Sequence, residues 1–327
     1  MPDPIRWGIL GTGGIAHKFA TGLSVLPSAK LVSVGSRSQA SADTFGNEFN
    51  IPRRHASYEA LAEDPNVDAI YVSTPHPFHK ENTILCLKAG KAVLCEKPFT
   101  INAAETREVI QVARDQKRFL MEAMWTRFLP AIVRAREMIA GGSIGEVRML
   151  TADFGFRTSF NPQGRLFAPS LGGGALLDVG IYPLSLSFAL FGKPTTISSA
   201  AHLGETGVDE QSAMLLSYGK GQIALLSSAT RTSTAHEAVI YGTEGYIRIP
   251  DWWHANRFTV TVSGYAPQTY EVPHDGNGYC HEAAEVGTCL RGGKLESDTM
   301  PLGETLDIME TMDIIRTQWG LKYPTEG

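Results

Sequence analysis

The sequence predicts an α/β N-terminal domain with a doubly wound parallel sheet, followed by an α+β C-terminal domain built on a large open, mainly antiparallel sheet. Three observations carry this. Short apolar runs alternate with amphipathic stretches from residue 5 to about residue 121. A glycine-rich turn follows the first of those runs. From residue 196 to 272, one short β-rich segment follows another with little helical sequence between them.

In the first half the runs fall at 5–10, 31–36, 69–73, 92–95 and 119–121. They are β-rich and do not alternate strictly, as expected of strands buried on both faces. A helix is predicted over about 78–89 and is closed by Gly90. Another starts at Asn102, a good N-cap, with Glu105 three residues on, which fits a capping box. Strand and helix in alternation specify a parallel, doubly wound sheet.

The pattern changes after residue 121. A helix over 130–140 is stopped by Gly141 and Gly142. A strand at 146–154, a loop and a helix around 175–190 come next. Seven strands are predicted at 197–202, 212–217, 222–228, 237–241, 246–249, 258–262 and 269–272. Gly204, Gly207, Gly219, Gly221, Gly242 and Gly245 punctuate them. Helices near 279–290 and 302–318 close the chain. The expected division is a domain over 1–122 and a second over 123–327. A large open sheet must cover its second face, and few helices remain for that, so self-association through the face is expected.

Composition sets the remaining bounds. The 327 residues suit two domains. At 43% hydrophobic and 19% charged, the chain has enough apolar material for cores and too little charge for disorder. A formal charge of -5 gives no basic surplus, so nucleic acid is not an expected partner. Residues 1–15 lack a basic segment leading into a long apolar one, so no secretory signal is expected. The longest uncharged apolar run, 179–192, is short for a bilayer and is interrupted by Gly180 and Pro183, so no membrane partner is expected. Cys86, Cys95, Cys280 and Cys289 form no CxxC pair and no zinc-like spacing. They read as small buried hydrophobes in a reducing, cytoplasmic setting, with no metal site.

The segment Gly11-Thr12-Gly13-Gly14-Ile15-Ala16 fits GxGxxG/A, directly after a predicted strand and at the start of a helix. Glycines permit the tight turn and let backbone N–H groups approach a pyrophosphate at the helix N-terminus. This context makes the first domain a dinucleotide-binding Rossmann fold. The second strand ends in Gly35-Ser36-Arg37-Ser38, with no acid to bond a ribose 2′-hydroxyl. A guanidinium at Arg37 suits a 2′-phosphate, so NADP(H) is expected ahead of NAD(H). His76 and His79 follow the 69–73 strand, at the carboxyl edge where ligands bind such sheets.

Three further motifs carry a family resemblance. They are Ser73-Thr74-Pro75-His76 with His79, Cys95-Glu96-Lys97-Pro98, and Gly172-Gly173-Gly174-Ala175-Leu176-Leu177-Asp178-Val179-Gly180-Ile181-Tyr182. With the N-terminal glycines, they make the whole chain resemble the glucose–fructose oxidoreductase / inositol dehydrogenase (Gfo/Idh/MocA) family. Most of that family has His where this chain has Tyr182. Tyr182, together with Met121-Glu122-Ala123-Met124-Trp125-Thr126-Arg127-Phe128, is similar to the dimeric dihydrodiol dehydrogenase branch, which includes NADP-dependent D-xylose dehydrogenases.

The resemblance implies hydride transfer between NADP(H) and a CH–OH/carbonyl group of a trans-dihydrodiol, an aldose or a related compound. It also implies a homodimer formed through the open sheet. It places Ser73, Thr74, Pro75, His76, His79, Glu96 and Lys97 around the cofactor, and Lys97, Asp178 and Tyr182 at the chemistry. A free tyrosine has a pKa of about 10, and a nearby cation lowers it. Tyr182 is therefore the expected acid/base, Lys97 its activator, and Asp178 the group that orients them. Four residues apart on a predicted helix, Asp178 and Tyr182 would share a face. Trp125, Arg127, Phe154, Trp252, Trp253 and Tyr279 are the candidates to wall the substrate pocket. The competing reading is a catalytically silent, NADP(H)-sensing regulatory protein of the same fold. A sensor has no need of the three acid/base groups.

Overall fold

The computed structural model describes residues 3–326. The ends of the two expected domains, residues 1–2 and 327, lie outside these. The chain forms two compact units. One runs to Trp125 and is joined by Asp275–Leu306; the other comprises Thr126–His274 and resumes at Asp307. Where the sequence suggests one boundary at 122/123, the chain therefore contributes a later segment to the first unit. Its helix packs there against the first helix and the second strand of that unit.

The first unit alternates strand and helix: β1 Ile5–Leu10, α1 Gly14–Leu23, β2 Ala29–Gly35, α2 Gln39–Glu48, β3 Arg53–His55, α3 Tyr58–Ala62, β4 Ala69–Val72, α4 His79–Lys88, β5 Ala92–Glu96, α5 Ala103–Gln116 and β6 Leu120–Ala123. The six strands form one sheet in the order β3-β2-β1-β4-β5-β6. Every pair in it is parallel. All residues of β4 and β5 are buried, which explains the apolar sequence of β4 and of β5 up to Glu96. The Asn102 cap forms as expected, with Glu105 N–H donating to Asn102 Oδ1 at 2.9 Å. The Glu105 carboxylate reaches back to the Ile101 N–H at 3.2 Å, one residue before the cap.

The second unit holds α6 Pro130–Ala140, β7 Val147–Gly155, α7 Ile181–Phe191, β8 Thr196–Leu203, β9 Asp209–Ser217, β10 Ile223–Ala229, β11 Glu237–Gly242, β12 Gly245–Pro250, β13 Arg257–Val262 and β14 Gln268–Glu271. Its eight strands run in the order β14-β13-β12-β11-β7-β10-β9-β8. The pairing is antiparallel except at the centre, where β7 and β10 lie parallel. After β14 come α8 Cys280–Arg291, in the first unit, and α9 Leu302–Trp319, which is divided between the two.

One face of the second sheet packs on α7 and on the turn at Leu176–Gly180 that leads into it. Gly180 allows this approach, since a Cβ there would lie 2.9 Å from Ser228 Oγ on β10. The other face carries Leu215, Ile223 and Leu225, each 40–45% exposed, with Leu215 directly opposite Leu225. Among the described residues, one helical stretch, Pro169–Phe191, is long and apolar enough to cross a membrane by composition. It extends beyond the 179–192 run and is mostly buried in the core. The four cysteines are unpaired and buried. Burial pushes each thiol up, so none is poised as a thiolate.

Candidate active site

The first unit supplies a dinucleotide cradle. β1 runs into Gly11, whose φ of +105° only glycine adopts readily. A Cβ at Gly11 would also lie 2.9 Å from Ser73 Oγ. Ser73 holds the turn by donating from Oγ to Leu10 O at 2.9 Å. Gly13 is the N-cap of α1, and no side chain caps that end. A Cβ at Gly13 or Gly14 would meet nothing within 4 Å. The backbone is therefore open to a diphosphate on that side, and the residues fit a nicotinamide dinucleotide.

At the end of β2, Arg37 borders a cavity of about 600 Å³ that is also lined by Ser57, Tyr58, Thr74, Pro75 and Asn82. Burial raises the Tyr58 pKa, and the positive charge of Arg37 opposes this, which places the guanidinium near the phenol. Ser38 is turned to another task, capping α2 by accepting from Ser41 N at 3.3 Å. Ser36 is buried.

The loops after β4 and β5 are tied together by His79. Its Nδ1 lies 2.8 Å from Pro98 O and its Nε2 2.7 Å from Thr74 O. Burial pulls its pKa down, against the two carbonyls that favour the proton. Both ring nitrogens serve the backbone, so His79 shapes the site through the Thr74 and Pro98 loops. His76, on a 3₁₀ turn, is buried with its ring 5.8 Å from that of His79. The Lys97–Pro98 peptide is cis.

Next to this loop lie Glu96, which the sequence marked, and Tyr71 and Glu282, which it did not. Glu96 accepts from the Tyr71 hydroxyl through Oε1 and from the Lys97 N–H, at 3.1 Å, through Oε2. Tyr71 stacks on Phe19 at 3.8 Å. Glu282, on α8, is fully buried, and neither carboxyl oxygen has a hydrogen-bond partner among the described residues. Burial first, and then the Glu96 charge, raise its pKa well above the usual carboxylate range. Trp125 and Tyr279 stack in the same unit with centroids 4.7 Å apart and planes at 11°.

The second unit holds Asp178 and Tyr182. Asp178 lies in a π turn, Leu176–Gly180, that leads into α7. The uniform α-helix expected over 175–190 is thus broken. In a π turn bonding runs i to i+5, so four-residue spacing no longer guarantees a shared face. Asp178 is nearly buried, and its Oδ1 accepts from Arg165 Nη1 at 2.6 Å.

Tyr182 opens a continuous aromatic wall. Its ring centroid is 5.3 Å from that of Phe154, on β7, and Phe154 stacks on Trp253 at 5.0 Å. His236 braces this wall. It accepts from Trp253 Nε1 at 3.2 Å through Nδ1, and its Nε2–H donates to Gly155 O at 2.6 Å. Trp252 serves the core, fully buried and donating to Asp153 O at 2.8 Å. Arg127 is buried and directs Nε and Nη2 to Ser185, on α7, both at 2.7 Å. Those two arms brace the helix that bears Tyr182.

Arg165, His236, Tyr71 and Glu282 escaped the sequence reading. Only His236 carried a local signal, its place directly before the 237–241 β-run.

The first unit carries a dinucleotide cradle, as a nicotinamide-dependent oxidoreductase requires, and the second carries a tyrosine, a carboxylate and an aromatic wall. The chain belongs to the GFO/IDH/MocA oxidoreductase family. Residues 5–124 match its NAD-binding Rossmann fold, and residues 132–248 match its C-terminal domain. The chain is 40% identical over 331 residues to trans-1,2-dihydrobenzene-1,2-diol dehydrogenase of Mus musculus, and 37% identical over 332 residues to that of Homo sapiens. Each match spans 98% of this chain and 99% of the relative. Among solved structures, the aldose-aldose oxidoreductase from Caulobacter crescentus shares the fold, with TM-score 0.89, 23% identity and coverage of 97% and 98%. A 3-ketoreductase from Actinomadura kijaniata, in complex with NADP and TDP-benzene, gives TM-score 0.86 and 24% identity over 96% and 98%.

Proposed function

We propose that this oxidoreductase is an NADP(H)-dependent dehydrogenase/reductase for trans-dihydrodiols or closely related cyclic hydroxy compounds. The carrying observation is the Tyr182–Phe154–Trp253 wall. An aromatic cluster beside a phenolic hydroxyl suits an unsaturated ring diol better than a hydroxyl-rich sugar. Full-length relatives that are trans-1,2-dihydrobenzene-1,2-diol dehydrogenases support the same choice. Arg37, in place of an acid at the end of β2, supports NADP(H), and the 3-ketoreductase of the same fold was crystallised with NADP.

A bound nicotinamide accepts or supplies the hydride. The chain's own residues hold the substrate carbon and handle the hydroxyl proton. In this reading Tyr182 takes and returns that proton, the Lys97 cation favours the phenolate, and Asp178 orients the reacting hydroxyl. Arg165 fixes the Asp178 carboxylate. We further propose a homodimer through the outer face of the eight-stranded sheet, supported by the exposed Leu215, Ile223 and Leu225.

The test is nicotinamide absorbance with NADP+ and NAD+ in parallel, against trans-dihydrodiols and aldoses, and with NADPH against α-dicarbonyls. Turnover of a dihydrodiol, faster with NADP+, is the expected result. Tight NADPH binding with no turnover across the panel would instead favour the regulatory reading.

A further inference from the structure

The helix that carries Asp178 and Tyr182 begins where Gly172, Gly173 and Gly174 turn the chain. Gly172 has φ +66° and Gly174 φ +117°. No side chain of the segment itself caps this start. Asp209, the first residue of β9, supplies the acceptor from outside, with Leu176 N–H donating to Asp209 Oδ2 at 2.7 Å. Asp209 is fully buried, and its Oδ1 has no hydrogen-bond partner among the described residues. That free oxygen is the atom a Cβ at Gly174 would strike at 2.2 Å. Glycine at 174 is thus required twice, by its φ and by the neighbouring carboxylate. Tyr323 clamps the same turn, donating from its hydroxyl to Gly173 O at 2.6 Å. Arg316 lies over the Tyr323 ring at 5.0 Å and is held by Glu326 and Asp313.

We propose that Asp209 is a positioning residue for the reaction: its carboxylate holds the first turn of the helix from which Asp178 and Tyr182 project, so the acid/base geometry depends on the Asp209 charge. This rests on the catalytic reading of Asp178 and Tyr182. An ionised acceptor binds an N–H about twice as strongly as a neutral one. Burial raises the Asp209 pKa to about 7, against the pull of the Leu176 N–H and the Arg316 charge. The charged and titratable groups facing it are Arg316, from α9, and Tyr323, which burial keeps neutral. The helix start is therefore held more firmly above neutrality than below it.

The experiment compares full-length wild type with Asp209→Asn, Tyr323→Phe and Tyr182→Phe. It uses the panel substrate that turns over, and reads kcat and KM against pH, NADPH binding, and amide exchange at residues 176–182. Wild-type kcat should rise about 3- to 10-fold through neutrality, whereas Asp209→Asn stays at the low-pH level because its amide mimics the protonated acid. NADPH binding should be unchanged, KM nearly so, and exchange at 176–182 faster above neutrality. A folded Asp209→Asn with the wild-type pH limb and exchange overturns the proposal. Should that variant fail to fold, Tyr323→Phe decides: lower kcat with faster exchange supports the clamp, and wild-type behaviour overturns it. The two failures are separable. Full activity in Tyr182→Phe removes the catalytic reading, and this proposal with it. An inactive Tyr182→Phe beside a wild-type-like Asp209→Asn removes the positioning role alone.

Discussion

Arg165 Nη1 donates to Asp178 Oδ1 at 2.6 Å, joining a half-exposed guanidinium to a carboxylate that is only 9% exposed. An exposed arginine adds little to folding, since such pairs contribute roughly 0–1 kcal/mol. Its effect falls on where the carboxylate points. Arg165→Met should leave the unfolding temperature nearly unchanged. It should lower kcat/KM about 10- to 100-fold, the scale of a displacement near 1 Å at a reacting centre. Unchanged kcat/KM would show that Asp178 is oriented by other contacts.

Cofactor choice should turn on Arg37. Its guanidinium borders the cavity at the end of β2 and influences the Tyr58 phenol inside it. A charged hydrogen bond is worth about 1.5–3 kcal/mol, so Arg37→Asp should shift the NADP+/NAD+ ratio of kcat/KM toward NAD+ by about 10- to 100-fold. Initial rates with the two cofactors measure this directly, and an unmoved ratio would sink the assignment. High salt should weaken NADP+ binding more in wild type than in the variant.

Lys97 follows Glu96, whose carboxylate accepts the Lys97 backbone N–H at 3.1 Å. The main chain is thus positioned independently of the ammonium group. Lys97→Met keeps the stem and removes the charge. Turnover should fall by at least about a thousandfold, in line with loss of an acid/base partner together with its electrostatic support. NADPH affinity should stay within about threefold of wild type, or roughly 0.6 kcal/mol. Wild-type turnover would end the assignment of Lys97 to the chemistry.

The parallel sheet, the glycine turn and the strand series of the second unit were legible because each leaves a local mark in sequence. β4 and the first four residues of β5 are apolar runs, and Asn102 caps α5 as its spacing with Glu105 indicates. α2, β3 and α3 left fainter marks. β3 is a three-residue edge strand, Arg53–His55, with no apolar run. α2 and α3 are announced only by Ser38 and Ser57, whose hydroxyls accept from Ser41 N and Ala60 N. The π turn at Asp178 and the parallel pairing of β7 with β10 depend on packing between distant segments. Arg165, His236 and Asp209 were hidden for the same reason. They act through partners 13, 17 and 33 residues away, Asp178, Trp253 and Leu176, and no spacing rule links them.

The outer face of the eight-stranded sheet predicts an oligomer. Leu215 and Leu225 are cross-strand partners and each is 45% exposed, with Ile223 beside them at 40%. Light scattering should report a dimer for wild type. Leu225→Glu places a charge in the middle of the patch and should shift the protein to monomer at micromolar concentration, with each monomer still folded. A wild-type protein that stays monomeric across a wide concentration range would exclude this interface.

Glu282 supplies a stability test with a defined sign. Its carboxyl group is fully buried without a hydrogen bond among the described residues, and its pKa is raised by burial and by Glu96. Below the ordinary glutamate pKa both folded and unfolded states are protonated, so the residue costs little. As pH rises past that value the unfolded chain ionises while the folded chain keeps its proton. Stability contributed by the neutral acid is therefore lost progressively toward alkaline pH. Glu282→Met has similar volume and no titration. It should stabilise the protein by about 1–3 kcal/mol near pH 8 and by much less near pH 4, with the melting temperature reporting both. Equal melting temperatures for variant and wild type at both pH values would mean that Glu282 is ionised and paired in the folded protein. The Glu96–Glu282 repulsion inferred from their burial would then be wrong.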